Sequence, residues 1–147
     1  RGRKGEQGES ADNSSNQRVA FTVRRKTSTA VSLDQSTRLP FEETVTLLTG
    51  TNFNLETGAF TCSIPGAYVF MFSVLKYRDR KLAVYLYKNN DLVVSGYSNS
   101  SNEYEQVSGG AVLVLQEGDS VYLTMLGRAY GGSVDHPSFS GFLLYDE

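Results

Sequence analysis

The residue best suited to catalysis in this chain is its single histidine, His136. It lies between Asp135 and Pro137 in a stretch rich in glycine and serine. A Ser-His-Asp site needs its three side chains held within hydrogen-bond reach, and a loop of this composition offers no such support. The sequence also lacks a Cys/His cluster spaced for zinc and a phosphate-binding glycine loop between a strand and a helix. We therefore predict that the chain is not an enzyme.

The single cysteine, Cys62, cannot form a disulfide within the chain. It lies on the apolar face of a predicted strand. We predict a buried, unreactive thiol, with a reactive or intermolecular thiol as the alternative.

Two short basic stretches are candidate binding sites for anionic ligands. One contains Arg24-Arg25-Lys26, and the other spans residues 76–81, where Asp79 interrupts the positive charges. A solvated connection is the alternative interpretation of the second stretch. The net charge of -2 gives no overall basic field for nucleic acid. The candidate ligand-binding residues are Arg24, Arg25, Lys76, Arg78, Arg80 and Lys81.

The first 17 residues differ in composition from the rest. Gly2, Gly5 and Gly8 repeat every third residue over positions 1–9, which indicates either the end of a collagen-like segment or a flexible polar tail. Residues 10–17 form a predicted polar linker. Asn13 there, and Asn99 further along, begin Asn-X-Ser patterns and are candidate glycosylation sites.

The remaining chain is predicted to consist of strands and turns, organised around residues 59–75. Phe60, Cys62 and Ile64 alternate with polar residues, and Pro65-Gly66 interrupts the strand. The run after it is apolar on both faces, so either the strand is fully buried within its own domain or one face fills a core while the other contacts a partner subunit. Asn89-Asn90-Asp91 has the composition of a hairpin turn. Regular strands without helical periodicity predict an all-β sandwich or barrel.

No apolar run approaches the length of about 20 residues that a membrane helix needs. The chain has no initiator Met and no signal peptide, so we expect a fragment of a longer protein.

Seven blocks of sequence occur in a recognisable order. They are Ala20-Phe21-Thr22-Val23, Thr57-Gly58-Ala59-Phe60-Thr61-Cys62, Pro65-Gly66-Ala67-Tyr68-Val69-Phe70, Lys88-Asn89, Ser108-Gly109-Gly110-Ala111-Val112-Leu113, Gly118-Asp119-Ser120-Val121 and Phe139-Ser140-Gly141-Phe142-Leu143-Leu144-Tyr145. Together they make residues 19–147 resemble the C1q globular-head family. The resemblance implies a ten-stranded jelly roll, similar to tumour necrosis factor, that assembles as a trimer. It favours the collagen-like interpretation of residues 1–9 and a globular domain over 18–147.

The resemblance also implies a candidate calcium site, because some C1q-like trimers hold calcium on the loop before the Ser-Gly-Gly block. The corresponding ligands here are Asn99, Glu105 and Gln106. Ser98 or Asn99 stands where the family often has Asp, which removes one carboxylate from the oxygen ligands that calcium prefers.

The family resemblance implies a secreted, extracellular recognition module at the end of a collagen stalk. Three copies of a weak site, in a homotrimer or a trimer of related chains, would bind an anionic glycan or microbial surface with avidity. We therefore predict innate-immune, complement-type pattern recognition. The alternatives are a ligand for a cell-surface receptor, as in adiponectin-like or cerebellin-like members, and a structural matrix collagen head that drives trimerisation.

Overall fold

The computed structural model describes residues 18–33, 35–99, 101–132 and 136–147. The predicted collagen-like segment, the linker and Asn13 lie outside these residues. The described part contains twelve strands and no helix, which confirms the predicted all-β fold. The strands are β1 Ala20–Arg24, β2 Thr29–Val31, β3 Thr37–Arg38, β4 Glu43–Leu47, β5 Asn52–Asn54, β6 Ala59–Thr61, β7 Gly66–Lys76, β8 Leu82–Lys88, β9 Asp91–Ser98, β10 Glu105–Leu115, β11 Ser120–Tyr130 and β12 Ser138–Asp146.

The strands form the two layers of a jelly roll. In the first layer the order is β4-β1-β12-β7-β10, with every pair antiparallel. In the second layer β11 pairs with β8, which pairs with β9, while β2, β3 and β6 also pair with β11. The layers join where Ala129 and Tyr130 of β11 pair with Lys76 and Leu75 of β7. This junction brings the end of β7 beside the end of β11.

The core between the layers is rich in phenylalanine. Phe21 is central, since its ring centroid lies 5.5 Å from that of Phe60 and 5.2 Å from that of Phe139. Along β7 the buried residues are Tyr68, Phe70, Phe72 and Val74. The structure thereby decides which face of this strand fills the core, a choice that the sequence left open. The opposite face of β7 carries Val69 and Met71 and points away from the core.

Two connections are more ordered than the sequence predicts. The sequence predicts irregular structure over residues 24–40, yet β2 and β3 form there because β11 offers an unpaired edge. These two short strands account for the difference from the ten strands implied by the family. The sequence predicts a loop over residues 127–138, but β11 continues to Tyr130. The hairpin at 89–91 is confirmed, with Asn89 at a φ of 56°.

Candidate functional site

The cysteine and the histidine differ in burial. Cys62 is buried, and its Sγ lies 3.2 Å from the carbonyl oxygen of Ile64. Burial raises the pKa of the Cys62 thiol, which keeps it protonated and a poor nucleophile. The same carbonyl accepts a 2.6 Å hydrogen bond from the hydroxyl of Tyr68. His136 is half-buried just before β12, and its neighbour in sequence, Asp135, lies outside the described residues.

The first basic stretch is compensated by two glutamates at the start of β4. The side chain of Arg24 donates a hydrogen bond to Glu43, and Lys26 lies 3.3 Å from the same carboxylate. Arg25 lies 3.7 Å from Glu42. The hydrogen bond from Arg24 is the main cause that lowers the pKa of Glu43. A ligand at Arg24 or Arg25 would therefore compete with an existing carboxylate partner, although their predicted role in binding stays a prediction.

Lys76, a predicted ligand-binding residue, lies inside the protein with 0% of its surface exposed. Its ammonium donates hydrogen bonds to the backbone carbonyls of Glu103 at 2.7 Å, Ser101 at 3.3 Å and Tyr77 at 3.4 Å. It is thus separated from the exposed cations that follow it in sequence. Its position indicates that Lys76 holds the loop between β9 and β10 rather than an external ligand.

The exposed cations Arg78, Arg80 and Lys81 occupy the turn between β7 and β8. Asp79 adopts a left-handed φ of 64°, and its backbone N–H donates to the carbonyl of Ser101 at 2.8 Å. The N–H of Arg80 closes the turn with a 3.2 Å bond to Tyr77. This geometry directs part of the turn toward β2 and the end of β11.

A cavity of about 200 Å³ lies between this turn, β2 and β11, and we refer to it as the cationic pocket. Part of its lining is apolar, here called the apolar wall, and part is positively charged, here called the charged wall. The apolar residues are Ala30, Val31 and Leu33, and the cations are Arg80, Lys81 and Arg128.

Arg128 is not among the binding residues predicted from the sequence, because a loop is predicted over residues 127–138. In a strand that continues to Tyr130, Arg128 and Tyr130 share the face opposite to buried Ala129. The guanidinium of Arg128 lies 4.5 Å from the ring centroid of Tyr77, which is a cation–π distance. Recognising the full length of β11 would have placed this arginine beside the basic turn.

An aromatic cluster adjoins the pocket through Arg128. The ring centroids of Tyr77, Tyr104 and Tyr130 lie 5.3 to 5.8 Å apart. These three rings come from three different elements, so no sequence pattern groups them. The cluster and the cationic pocket together form one end of the sandwich, where amphipathic rings lie beside cations that have no carboxylate within 4.0 Å among the described residues.

Two of the three predicted calcium ligands, Glu105 and Gln106, lie on one strand and have different partners. Glu105 accepts a hydrogen bond from the hydroxyl of Ser98, and Gln106 accepts one at 2.8 Å from the hydroxyl of Ser73. Glu105 and Gln106 are neighbours in β10, so their side chains point to opposite faces of the sheet. In the described part of the chain, no three His, Cys, Asp or Glu residues are grouped to hold a metal. Asn99 is exposed just after β9, as a glycosylation site requires.

The outward-facing side of the first layer carries an apolar surface, here called the outer face. Val112, Val69, Phe142 and Ala20 lie in register across four neighbouring strands. Val112 is 63% exposed, and Met71 beside this row is 45% exposed. Contiguous exposed apolar surface of this kind is typical of contact sites between proteins. The opposite side of the same strands fills the core, so the outer face is available only to another molecule.

Comparison with known proteins identifies a family model and related sequences that match this chain. The family model of the C1q domain matches residues 20–144. Caprin-2 of Danio rerio is 40% identical over 134 residues, which is 88% of this chain and 14% of caprin-2. A complement C1q subcomponent of Bos taurus is 39% identical over 94 residues, which is 60% of this chain and 38% of that protein. The chain therefore spans well under half the length of these two relatives.

Solved structures agree with the observed fold. The globular domain of zebrafish complement 1qA protein superposes with a TM-score of 0.68 at 30% identity, covering 88% of this chain and 99% of that one. The Eiger TNF of S. frugiperda superposes with a TM-score of 0.64 over 88% of this chain and 94% of that one; its 12% identity supports the fold alone. The described segments include no helix with the length and apolar character that a membrane crossing needs. With its jelly roll and with the family match over residues 20–144, this chain belongs to the C1q domain family.

Proposed function

We propose that this chain is a secreted, non-enzymatic recognition module that trimerises and binds anionic glycans, including those of microbial surfaces. The observation that carries the proposal is the end of the sandwich where Arg78, Arg80, Lys81 and Arg128 lie beside the tyrosine cluster. Within the described residues, none of these four cations has a carboxylate within 4.0 Å. Unpaired cations beside aromatic rings suit ligands that combine charge with ring surfaces.

The outer face supports trimer formation. Val112, Val69 and Phe142 would lose their exposure against a neighbouring copy, and burial of apolar surface is the main force that drives association. A three-fold assembly presents three identical cationic ends. A ligand with repeated charges can then bind two or three sites at once, which raises the overall affinity without a new contact.

A single experiment tests recognition and separates the two basic stretches. The wild type, an Arg78→Gln/Arg80→Gln/Lys81→Gln variant and an Arg24→Gln/Arg25→Gln/Lys26→Gln variant are applied to an array of anionic glycans and microbial polysaccharides. We expect the first variant to lose at least tenfold in binding and the second, whose cations are ion-paired, to stay within about twofold of wild type. Equal Tm values show that the variants are folded.

The other outcomes contradict the proposal in distinct ways. Wild-type binding that both variants retain would leave the cationic end without a role. Capture by a cell-surface receptor without any glycan binding would assign the chain to the receptor ligands. Trimerisation without binding to either glycan or receptor would assign it to the structural collagen heads.

A further inference from the structure

We propose that the cationic pocket binds one ring that carries one oxyanion, meaning a single sugar or aryl ring with a sulfate or phosphate group. The inference rests on the proposed function, since it assigns a specific chemical group to the cationic end. It adds Arg128 as the residue that selects this group. The residues that line the pocket come from three parts of the chain that are distant in sequence: β2 with the residues just after it, the turn 77–81 and β11. The turn and β11 supply the three cations.

The positive charge of the three cations in the lining favours a negatively charged ligand. Arg80, Lys81 and Arg128 all line the cavity, and the described residues supply no carboxylate within 4.0 Å of them. An arginine guanidinium binds sulfate and phosphate through paired N–H donors, which an ammonium cannot reproduce. An oxyanion is therefore the group that the charged wall best accommodates.

The apolar wall and the volume of the pocket favour a ligand in which a ring is attached to that anion. Ala30, Val31 and Leu33 line the same volume of about 200 Å³ as the cations, and Ala30 is the register partner of Arg128 on the neighbouring strand. A cavity of roughly 150 Å³ is known to hold benzene, so this pocket has room for one ring and a small charged substituent. A bare inorganic ion would contact the cations and leave the apolar wall against water.

Arg128 is held in position before a ligand arrives. Its side chain stacks on Tyr77, its N–H donates to the carbonyl of Lys81 at 2.9 Å, and its carbonyl accepts from the N–H of Tyr77 at 3.1 Å. Gly127 has a φ of +95°, and a Cβ there would lie 2.0 Å from the carbonyl oxygen of Lys81. The backbone on this side of the pocket is thus closely packed. Preorganisation reduces the entropy that binding would otherwise remove.

The test measures binding of small molecules to the intact chain by NMR titration. The probes are glucose 6-sulfate, phenyl sulfate, inorganic sulfate and phenol, which separate the sugar, the aryl ring, the charge alone and the ring alone. We expect at least one of the two ring sulfates to bind at least tenfold more tightly than inorganic sulfate or phenol. The shifted signals should include Val31 and Leu33.

Arg128→Gln should weaken binding of that ring sulfate at least tenfold. The matched control is Arg38→Gln, because Arg38 also stacks on a tyrosine, 3.5 Å from the ring centroid of Tyr122, but lies outside the pocket. Leu33→Asp, at a half-exposed position, provides a second variant that adds negative charge to the pocket and should abolish binding. An unchanged amide spectrum outside the pocket shows that each variant is folded.

Three results would overturn the inference: no binding of either ring sulfate, equal binding of inorganic sulfate, or equal losses in Arg128→Gln and Arg38→Gln. Glycan binding on the array without ring-sulfate binding in the pocket would contradict this inference and leave the proposed function standing. Ring-sulfate binding without any glycan binding on the array would contradict the proposed function.

Discussion

The buried ammonium of Lys76 donates a 2.7 Å hydrogen bond to the backbone carbonyl of Glu103 and thereby ties the end of β7 to the loop before β10. Ser101 provides a second carbonyl at 3.3 Å. Backbone carbonyl oxygens surround this buried ammonium in the way that oxygen ligands surround a bound metal ion. The relationship explains why this lysine is hidden while its basic neighbours in sequence are exposed.

Lys76→Met should lower the free energy of unfolding by about 1–3 kcal/mol, because the backbone carbonyls of Glu103 and Ser101 lose the buried ammonium that donates to them. Denaturant titration measures this loss. Amide exchange of residues 101–104 should also accelerate. Lys88→Met is the control, since the Lys88 ammonium is partly exposed and lies 4.0 Å from Asp119; we expect a change within about 0.5 kcal/mol there. Equal stability of both variants would contradict this role of Lys76.

Val112→Asp should convert the trimer to a folded monomer, because a carboxylate on the outer face would be buried in the trimer without a partner. Sedimentation velocity measures the change in mass. Leu92→Asp alters an exposed leucine of β9, in the other layer, and should leave the trimer intact. A wild-type chain that sediments as a monomer at micromolar concentration would refute the assembly itself.

The free energy of unfolding should fall as the pH rises above about 8.5, the ordinary pKa of a cysteine thiol. Burial raises the pKa of Cys62 in the folded chain, so the unfolded state loses this proton first and is favoured at alkaline pH. The contribution of one such group is at most about 1.4 kcal/mol per pH unit. Cys62→Ala should show a smaller decline between pH 8 and 10 than wild type. Parallel declines in the two proteins would show that Cys62 is not responsible.

Millimolar calcium should leave the Tm unchanged, because Glu105 and Gln106 are hydrogen-bonded to different partners on opposite faces of β10. Differential scanning fluorimetry with calcium and with a chelator measures this. A rise of several degrees that the chelator reverses would instead reveal a site completed by neighbouring copies. In that case Glu105→Gln should remove the rise.

The alternation of apolar residues was enough to predict the fold class. Phe60, Cys62 and Ile64, then the doubly apolar run of β7, have the period of two that a strand requires, and the turn at 89–91 follows from its asparagines. The family resemblance added the jelly-roll topology. Such patterns are local, so they can be recognised without knowledge of the partner strand.

The candidate site was only partly predictable, because its residues meet across the sheets. Arg80 and Lys81 were proposed from sequence, whereas Arg128 and Tyr77 became neighbours only when β11 paired beside the turn. Lys76 belongs to the same basic stretch and yet is buried.

The order of residue types along the chain is sufficient to predict that it forms strands and which residues alternate along them. Packing between the strands selects which face of β7 becomes core, which cations stay exposed and which acquire carboxylate or carbonyl partners. The physical reason is that alternation is set by the backbone of a single strand, whereas burial and charge pairing depend on contacts between elements far apart in sequence.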